Sequence, residues 1–558
     1  MGEQAPHATR REAVIGLGAS AAALSLPARA QGRTEPPATA SGVVFEDLSG
    51  TGRRQAGDPG LPGIMVSNGR DVVRTDAEGR YALPVEDGDA VFVVKPSGFR
   101  VPLDADNLPR FSYVYRPHGT PAEPRLRFRG LTPTGPLPAS LDFPLRRAAE
   151  PAAFDVLLFT DPQPETTTEL GYVRDTAVTR ALGTQAAFGL TTGDIMFDDL
   201  ALYPRYNRLI GRIGIPWWNI GGNHDLNFEA PDNGLSRETY KRVYGAPHYA
   251  FMHGDVLFLM LDNVNYLGAA TAPPAARGGR YEGRFGERQL AFVENVLRDW
   301  PRERLVVAAM HIPLVTDLGS ENPANVTADR DRLLALLEGR PSLSVAGHTH
   351  TTEHHYLGRD GEHHHHVLTA VSGSWWSGPY DRSGIACADS RDGTPNGYHV
   401  LSIAGARYTT RHVAASGPDR AMRICLDSQF HARDAEVARA HTVAELLGSP
   451  IAADAVASTD LVVNVFDGGP RTRVGVRFAG RDPVPMERVR RPDPFVAQVY
   501  ARNAETRRPW VKAEPSSHIW VARLPAGLGP GTHRADVFVV DEYGRDASDA
   551  LIIEVTSA

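Results

Sequence analysis

The sequence IGGNHD at residues 220–225 decides the fold, because it ends a short apolar run, residues 217–220, with two glycines followed by polar side chains. A second run of this kind, residues 343–346, ends in GHTH at residues 347–350. Short apolar runs bounded by glycine are typical of buried strands. We therefore predict two strands whose ends carry residue types that bind metals.

Further apolar runs extend this pattern in both directions along the chain. The predicted buried strands are residues 156–160, 188–192, 217–220, 256–261, 305–310 and 343–346. Predicted helices between them are residues 172–182, 288–299 and 328–338. Strands that alternate with helices are typical of an α/β domain.

Polar residues follow nearly every one of these strands, where open α/β sheets place their ligand sites. Asp161 and Gln163 follow the first strand, Asp194 follows the second, and His311 follows the fifth. Together with Asn223, His348 and His350, they supply carboxylate, imidazole and amide ligands. Such a set suits two adjacent divalent cations of the Mn, Fe or Zn type.

The order of these motifs resembles the calcineurin-like metallophosphoesterases, whose blocks are D-x-H, G-D, G-N-H-D/E, a lone H and G-H-x-H. All five occur in order over residues 161–350. The segments GSWWSG at 373–378 and DGTPNGY at 392–398 resemble a subfamily in which β domains frame the phosphoesterase. The resemblance implies a four-layer α/β/β/α sandwich, flanked by an N-terminal β-sandwich and a C-terminal β-rich domain.

The resemblance also implies which residues hold the two metals. The first metal would be held by Asp161, Gln163, Asp194 and His350; Asp194 would bridge to the second metal, which Asn223, His311 and His348 complete. Gln163 stands where the family usually has His. We interpret it as a substituted ligand, and the alternative is a first metal site that is weak or empty.

His224 and Asp225 are predicted to be catalytic. In the family pattern His224 is not a ligand, and Asp225 beside it could fix the His224 tautomer and keep it protonated. His224 could then stabilise phosphoryl charge or protonate the leaving oxygen. For Asp198 and Asp199, a solvated loop or a helix N-cap is as good an interpretation as a role in substrate binding.

Two further segments have a structural and a functional interpretation. Trp375, Trp376 and Tyr380 lie among glycines that could present them to substrate as an aromatic rim, although such residues are most often core. Residues 353–366 form a predicted His-rich hairpin with its turn in the middle. We favour a polar surface hairpin; alternatively, its histidines line the site or bind a third ion.

The chain divides into four predicted segments. They are a signal peptide at 1–30, an N-terminal β-sandwich domain at 31–147, the metallophosphoesterase domain at 148–380 and a C-terminal β-rich domain at 381–558. In the last domain we predict strands at 461–466, 473–478, 518–524 and 534–541.

The N-terminus has the features of a twin-arginine signal peptide. Arg10 and Arg11 precede a modestly apolar stretch that ends in the cleavage pattern ARA at residues 28–30. Export by this route predicts a periplasmic or secreted protein, and the general secretory route is the alternative. Cys387 and Cys425, the chain's two cysteines, permit one disulfide in that compartment without requiring it.

Charge and hydropathy restrict the partners. With 59 Lys and Arg against 66 Asp and Glu, the net charge is 59 − 66 = −7, which excludes a generally basic binder of duplex nucleic acid. After the signal peptide we find no apolar run long enough to span a membrane. We expect a small-molecule or envelope-derived phosphoester as substrate.

The expected activity is metal-dependent hydrolysis of a phosphodiester or phosphomonoester by a hydroxide that two metals activate. His224 favours the diester. One alternative is a non-catalytic envelope-binding protein with a relic phosphoesterase fold. Another is a phosphatase whose β domains select a polymer or a lipid-linked substrate.

Overall fold

The structure, a computed structural model, describes residues 38–273, 278–386, 388–431 and 447–557. The predicted signal peptide and Cys387 lie outside these ranges, so export stays a prediction. Cys425 is buried and forms no disulfide within the described residues, so its pairing with Cys387 stays open. Among the described residues, no helix combines the length and the apolar character that a membrane span requires.

The N-terminal domain is a β-sandwich of two four-stranded sheets. Its strands are β1 Ala38–Glu46, β2 Met65–Ser67, β3 Val72–Arg74, β4 Arg80–Val85, β5 Ala90–Val93, β6 Phe99–Arg100, β7 Ser112–Val114 and β8 Phe143–Arg147. The strand orders are β4-β1-β8-β6 and β3-β2-β5-β7. In β4 every second residue is buried, as expected of a strand with one face on a core.

The central domain contains two larger sheets. Its strands are β9 Ala153–Phe159, β10 Phe188–Thr192, β11 Trp217–Ile220, β12 Tyr249–His253, β13 Val256–Met260, β14 Val264–Tyr266, β15 Tyr281–Gly283, β16 Val306–Ala309, β17 Ser342–Ala346, β18 Glu353–Leu357, β19 His363–Val367, β20 Gly397–Ala404 and β21 Arg407–Ala414. The sheet orders are β11-β10-β9-β20-β21 and β12-β13-β16-β17-β19-β18, and β14 pairs with β15.

Helices cover this domain. They are α1 Thr167–Val173, α2 Thr179–Ala181, α3 Tyr203–Ile210, α4 Asn233–Ser236, α5 Glu238–Tyr244, α6 Gly286–Leu297 and α7 Arg330–Leu337. A π-helical turn, Arg174–Val178, joins α1 to α2. The predicted helix at 172–182 therefore begins earlier, at residue 167.

The two central sheets pack face to face through aromatic side chains. The ring centroids of Trp218 and Phe251 are 4.1 Å apart, and those of Phe188 and Phe251 are 5.3 Å apart. The other face of the first sheet, which includes Leu157, packs on α1 and α3, while α6 and α7 share the core of the second sheet. The predicted four-layer α/β/β/α sandwich is thereby confirmed.

The boundary predicted at residue 380 cuts through this sandwich. Strand β20 pairs with β9 over six residue pairs, from His399↔Leu158 to Ala404↔Ala153, and β21 continues the same sheet. Both strands come from the segment that we predicted to belong to the C-terminal domain. The boundary was misplaced because the turn-rich sequence around β20 and β21 resembles that of the C-terminal domain. Their pairing with β9, which is far away in the chain, leaves no local signal.

The C-terminal domain is a second β structure. Its elements are β22 Met422–Leu426, α8 Ser428–His431, β23 Ile451–Ala452, β24 Asp460–Val465, β25 Arg473–Phe478, β26 Val484–Pro485, β27 Glu487–Pro492, α9 Pro494–Arg502, β28 Pro515–Arg523, β29 Gly531–Val540 and β30 Asp546–Thr556. The sheet orders are β22-β24-β28-β27 and β23-β30-β29-β25-β26, with a shared apolar core.

Candidate active site

The seven predicted metal ligands follow five strands that run in parallel within their sheets. Asp161 and Gln163 follow β9, Asp194 follows β10, and Asn223 follows β11. In the second sheet His311 follows β16, and His348 and His350 follow β17. Since the carboxyl ends of parallel strands meet at one edge of a sheet, the topology brings these distant side chains together.

The residues predicted to hold the first metal are buried against one another. His350 Nε2 is 3.5 Å from Asp161 Oδ1. Gln163 Nε2 donates a 2.6 Å hydrogen bond to Asp194 Oδ2. Gln163 therefore lies among the predicted ligands of the first metal. Its amide contacts Asp194, the carboxylate predicted to bridge the two metals.

The residues predicted to hold the second metal surround His311 Nε2. This nitrogen lies 3.0 Å from Asn223 Oδ1, 3.2 Å from His348 Nδ1 and 3.3 Å from Asp194 Oδ1. His311 Nδ1 donates to the Thr192 carbonyl oxygen at 3.0 Å, which fixes the ring orientation. Asp194, His311 and His348 thus point their donor atoms into one small volume.

Buried donor atoms show that this set fits metal ions. Within the described part of the chain, Asp161 Oδ1, Gln163 Oε1 and His350 Nε2 are buried and have no hydrogen-bond partner. Buried polar atoms are otherwise nearly always paired, because an unpaired one costs about 1–3 kcal/mol. The three atoms are a carboxylate oxygen, an amide oxygen and an imidazole nitrogen, all of which bind borderline divalent cations.

Two glycines allow the loops to approach closely. A Cβ on Gly222 would lie 2.1 Å from Asp194 Oδ1, and a Cβ on Gly347 would lie 1.8 Å from Thr160 Oγ1. Any larger residue would displace a donor or its neighbour. These contacts explain why glycine begins both the GNHD and the GHTH motif.

Backbone strain is concentrated at the site. Of the ten described non-glycine residues with positive φ, eight lie here, namely Asp161, Gln163, Asp194, Asp198, His348, His350, Trp375 and Trp376. The left-handed region is unfavourable for such residues and is retained where the surrounding structure imposes it, often at functional sites. The strain turns the donors inward at the points where the strands end.

His224 is held by Asp198 rather than by its chain neighbour Asp225. His224 Nδ1 lies 2.6 Å from Asp198 Oδ1, and Nε2 lies 4.0 Å from Asp194 Oδ2. Its side chain is 24 % exposed, so the ring reaches the solvent side of the site. Its ring also stacks on Phe197 at a centroid distance of 4.6 Å.

Asp225 does not fix the His224 tautomer as predicted, although its charge is among those that raise the pKa of His224. Its carboxylate is buried and accepts hydrogen bonds from the backbone N–H groups of Gly222 and Ile195 and from the Tyr203 hydroxyl. Asp225 thus stabilises the loops around the site without contacting the His224 ring. His224 and Asp225 are adjacent in the motif, but consecutive side chains point in different directions, so adjacency does not predict contact.

The adjacent residues Asp198 and Asp199 have different roles. Asp199 caps a short helical turn, because its Oδ1 accepts the Ala201 N–H at 3.2 Å. Asp198, at φ +62°, turns the other way and meets His224. The N-cap interpretation applies to Asp199, whereas Asp198 belongs to the site.

Electrostatics favour a protonated His224. Burial lowers the pKa of His224, but the carboxylates of Asp194 and Asp198 raise it more strongly, to about 9. Burial would raise the pKa of Asp194, yet His311 and His224 lower it below the ordinary value. For His348, burial and the neighbouring His311 lower the pKa to about 3.

The two tryptophans predicted to bind substrate have different environments. Trp375 lines the cavity of about 180 Å³ over the donor atoms, and its ring stacks on His350 at 3.9 Å. The Trp376 ring is buried, and its Nε1 donates to the Pro162 carbonyl oxygen at 3.0 Å. Trp376 therefore packs beneath the loop that carries Gln163, and its predicted contact with substrate is wrong.

The C-terminal domain places residues beside this cavity, against Trp375, that the sequence did not indicate. The Trp510 ring is parallel to Phe197 at 6.1 Å and edge-on to Trp375 at 6.1 Å, and Trp510 is 47 % exposed. Arg508 lies over Phe197 and pairs with Glu165 and Glu169. We call Phe197, Trp375 and Trp510 the aromatic wall.

The His-rich hairpin exposes its turn at residues 358–360 but buries the strand that carries four of its histidines. Strands β18 and β19 pair with His354 opposite His366, and every residue of β19 is buried. Strand β19 is inserted between β17 and β18 in the six-stranded sheet, which removes both of its edges from water. The surface interpretation is wrong because the hairpin continues the sheet.

Comparison with protein families finds three matches. The model for the calcineurin-like phosphoesterase matches residues 156–352, the model for its N-terminal region matches residues 48–130, and the model for its C-terminal region matches residues 365–546. No match is found among curated proteins.

Two solved structures are similar in part. A dimetal phosphatase from Danio rerio is 16 % identical over 47 % of this chain and 99 % of its own, with a TM-score of 0.32. Purple acid phosphatase PPD1 from yellow lupin, Lupinus luteus, is 12 % identical over 64 % of this chain and 68 % of its own, with a TM-score of 0.34.

Proposed function

The chain belongs to the calcineurin-like phosphoesterases, and from that premise we propose that it is a metal-dependent phosphodiesterase, with phosphomonoester hydrolysis as the alternative. The observation that carries the proposal is one cavity in which metal-binding donors from four strand ends face a histidine held by its own carboxylate. Metal-binding donors and an acid group in one cavity suit transfer of a phosphoryl group to water.

The metal-holding residues are assigned by their contacts. Asp161, Gln163 and His350 would hold one cation, Asn223, His311 and His348 the other, and Asp194 would contact both. When bound, two divalent cations polarise the phosphoryl oxygens and activate a water molecule as nucleophile. Gln163 would turn its unpartnered Oε1 to the cation, because the amide then satisfies both of its polar atoms.

His224 would protonate the leaving oxygen. Its Nδ1 is engaged by Asp198, so the proton available for transfer is the one on Nε2. A departing alkoxide is strongly basic, and a positioned acid of this kind typically contributes a factor of about 10² to 10⁴. Asp198 orients the ring and stabilises its charged form.

The aromatic wall supports a diester. A diester carries a second organic group that a monoester lacks, and this group needs a surface to contact. Phe197 stacks against His224, and Trp510 extends that surface toward solvent. Apolar and aromatic substituents on the leaving-group side would pack there.

The first experiment compares bis-p-nitrophenyl phosphate with p-nitrophenyl phosphate, using full-length chain stripped by chelation and reloaded with Mn²⁺, Zn²⁺ or Fe²⁺. We expect activity only after reloading and a higher kcat/KM for the diester. A preference for the monoester would favour the phosphatase alternative. No turnover with any of these ions would contradict the hydrolase and favour the non-catalytic binding protein.

A second experiment tests the acid. Across aryl diesters whose leaving phenols have increasing pKa, the loss caused by His224→Gln should grow, because poor leaving groups need protonation most. Asp199→Asn is the matched control, since Asp199 caps a helical turn nearby. A loss that is constant across the series would show that His224 does not act as the acid.

A further inference from the structure

A second cluster of histidines around one carboxylate lies outside the candidate active site. His354 is on β18, His366 on β19, His399 on β20, and Asp467 follows β24. We call these four residues the His₃Asp cluster. The three histidine side chains have no exposed surface, and that of Asp467 is 9 % exposed.

Three imidazole nitrogens converge on a single oxygen atom. Asp467 Oδ1 lies 2.9 Å from His366 Nε2, 3.1 Å from His399 Nε2 and 3.2 Å from His354 Nε2. In a tetrahedral zinc site with bonds of about 2.0–2.1 Å, neighbouring donor atoms are about 3.3 Å apart. The three nitrogen-to-oxygen separations are close to that value. The donor atoms of His354, His366 and Asp467 all lie within 4.8 Å of one another, and His399 Nε2 reaches this group at Asp467 Oδ1.

Hydrogen bonding accounts for only part of the convergence. His354 Nε2 and His399 Nε2 form hydrogen bonds to Asp467 Oδ1 at 3.2 and 3.1 Å, whereas the His366 ring forms none in the part of the chain that the structure describes. Within the described residues, neither ring nitrogen of His366 has a hydrogen-bond partner, although Nε2 is the nitrogen nearest to Asp467, and His399 Nδ1 also has none. The His366 ring is therefore close to the carboxylate but not oriented to donate to it. A buried donor set with unpaired nitrogens is the arrangement that a cation would satisfy.

Neighbouring side chains orient the His₃Asp cluster, as do the residues that hydrogen-bond to the ligands in metal sites. His354 Nδ1 lies 2.9 Å from His364 Nε2, and His364 Nδ1 lies 3.2 Å from the Tyr408 hydroxyl. On the acidic side, the Thr410 hydroxyl donates to Asp467 Oδ2 at 3.4 Å. Such contacts fix the tautomer and orientation of ligating side chains.

The backbone at Asp467 is also unusual. Its φ is +66°, and among the described residues it is one of only two non-glycine residues with positive φ outside the candidate active site. A Cβ on Gly469, two residues later, would lie 2.7 Å from His354 Cβ. The turn between β24 and β25 is thus shaped so that Asp467 reaches the histidines.

We propose that His354, His366, His399 and Asp467 bind one structural Zn²⁺ ion that ties the C-terminal domain to both central sheets. Three imidazoles and one carboxylate favour zinc or a similar borderline cation. Four protein donors and near-complete burial leave no position for substrate, as in closed structural sites. His364, which contacts His354, lines an open cavity of about 890 Å³ on the outer side of the cluster.

The proposed ion would join three parts of the fold. His354 and His366 belong to the six-stranded sheet, His399 belongs to the five-stranded sheet, and Asp467 belongs to the C-terminal β domain. Because all four ligands must be in place together, binding would stabilise the packing of that domain on the sandwich. The proposal is independent of the activity of the first site.

The test counts metal in full-length chain in which the first site is disabled by Asp161→Asn and Asp194→Asn. After loading with Zn²⁺ and dialysis, we expect about one tightly bound zinc per chain, and none once His366→Gln is added. Substituted Co²⁺ should give the intense visible bands of tetrahedral coordination. Absence of retained metal in the double variant would overturn the proposal.

His363→Gln in the same background is the matched control. His363 is on the same strand and is 2 % exposed, but its nitrogens contact the Ser342 and Ser344 hydroxyls at 2.7 and 2.8 Å. It should keep the zinc, and loss of zinc in this control would overturn the assignment of ligands.

If His366→Gln fails to fold, anomalous diffraction from zinc-loaded crystals of the unaltered chain decides the matter. We expect a peak among the four side chains. A peak confined to the candidate active site would contradict the proposal.

Discussion

The candidate active site and the His₃Asp cluster use the same residue types on different kinds of backbone. Five of the seven predicted ligands of the first lie at positive φ in loops after strands. In the second, all three histidines lie within strands, and Asp467 alone has positive φ. The first faces a cavity, and the second is closed.

This difference predicts that the candidate active site serves catalysis, whereas the His₃Asp cluster serves the stability of the fold. Loops can hold donors in strained positions around an open cavity, where a substrate can reach them. Strands hold donors at fixed spacing within packed sheets, where an ion can stabilise the fold but meets no substrate. Equivalent substitutions in the two clusters should therefore have opposite consequences.

The largest expected effect is on catalysis. Asp194→Asn removes the carboxylate shared by both donor groups and should lower kcat/KM for bis-p-nitrophenyl phosphate about a thousandfold, equivalent to about 4 kcal/mol. The measurement is steady-state kinetics after Mn²⁺ loading. Asp467→Asn, the same substitution in the other cluster, should stay within about twofold of the unaltered chain. If Asp194→Asn kept a tenth of the activity, the proposed catalytic difference between the candidate active site and the His₃Asp cluster would be contradicted.

The converse effect is on stability. Asp467→Asn leaves three buried imidazoles without their carboxylate and should lower the free energy of unfolding by about 3 kcal/mol in the presence of Zn²⁺. Urea unfolding followed by tryptophan fluorescence gives the value. Chelation of the unaltered chain should destabilise it in the same direction, whereas the chelated variant should change little further. Equal destabilisation by Asp194→Asn would remove the distinction between the clusters.

A smaller effect is expected from the carboxylate that orients His224. Asp198→Asn keeps a hydrogen-bond acceptor but removes the charge and should lower kcat about tenfold with little change in KM, as for other residues that position a functional group. Steady-state kinetics on both nitrophenyl esters measure the change. Asp199→Asn should be nearly silent, and a similar loss in both variants would indicate a general disturbance of this loop.

The smallest effect concerns the aromatic wall. Trp510→Ala should raise KM for an aryl diester about threefold and leave kcat unchanged, because an aromatic contact contributes roughly 0.5–1.5 kcal/mol. Tyr380→Ala is the control, since the Tyr380 ring is 57 % exposed and, among the described residues, makes no ring contact with the aromatic wall, whereas Trp510 contacts both Phe197 and Trp375. An unchanged KM in Trp510→Ala would exclude this surface from substrate binding.

Most of the secondary structure could be predicted from local patterns. The strands predicted at 188–192, 217–220 and 473–478 have the observed bounds of β10, β11 and β25. Apolar runs limited by glycine or polar residues are local signals, and these strands are accordingly clear in the sequence. Helix α3 was missed because its buried face consists of Tyr203, Tyr206, Asn207 and Ile210, which is not a conventional apolar stripe.

The side-chain partnerships were harder to predict. Asp198 meets His224 only because a left-handed residue turns the chain, and neither spacing nor composition indicates that turn. In the His₃Asp cluster, the hairpin itself indicates that His354 and His366 are neighbours. Nothing local connects either of them to Asp467, which comes 101 residues after His366 in the sequence. Tertiary packing alone creates that cluster.

The pairing of β20 with β9 has a consequence for how this chain could be inherited or divided. The family models treat residues 156–352 and 365–546 as separate units, yet the second unit supplies two strands to the sheet of the first. A catalytic segment transferred without the second unit would leave β9 with an open edge, which is prone to aggregation. The segments 156–352 and 365–546 can therefore be recognised separately in sequence, but the shared sheet requires that both be inherited together.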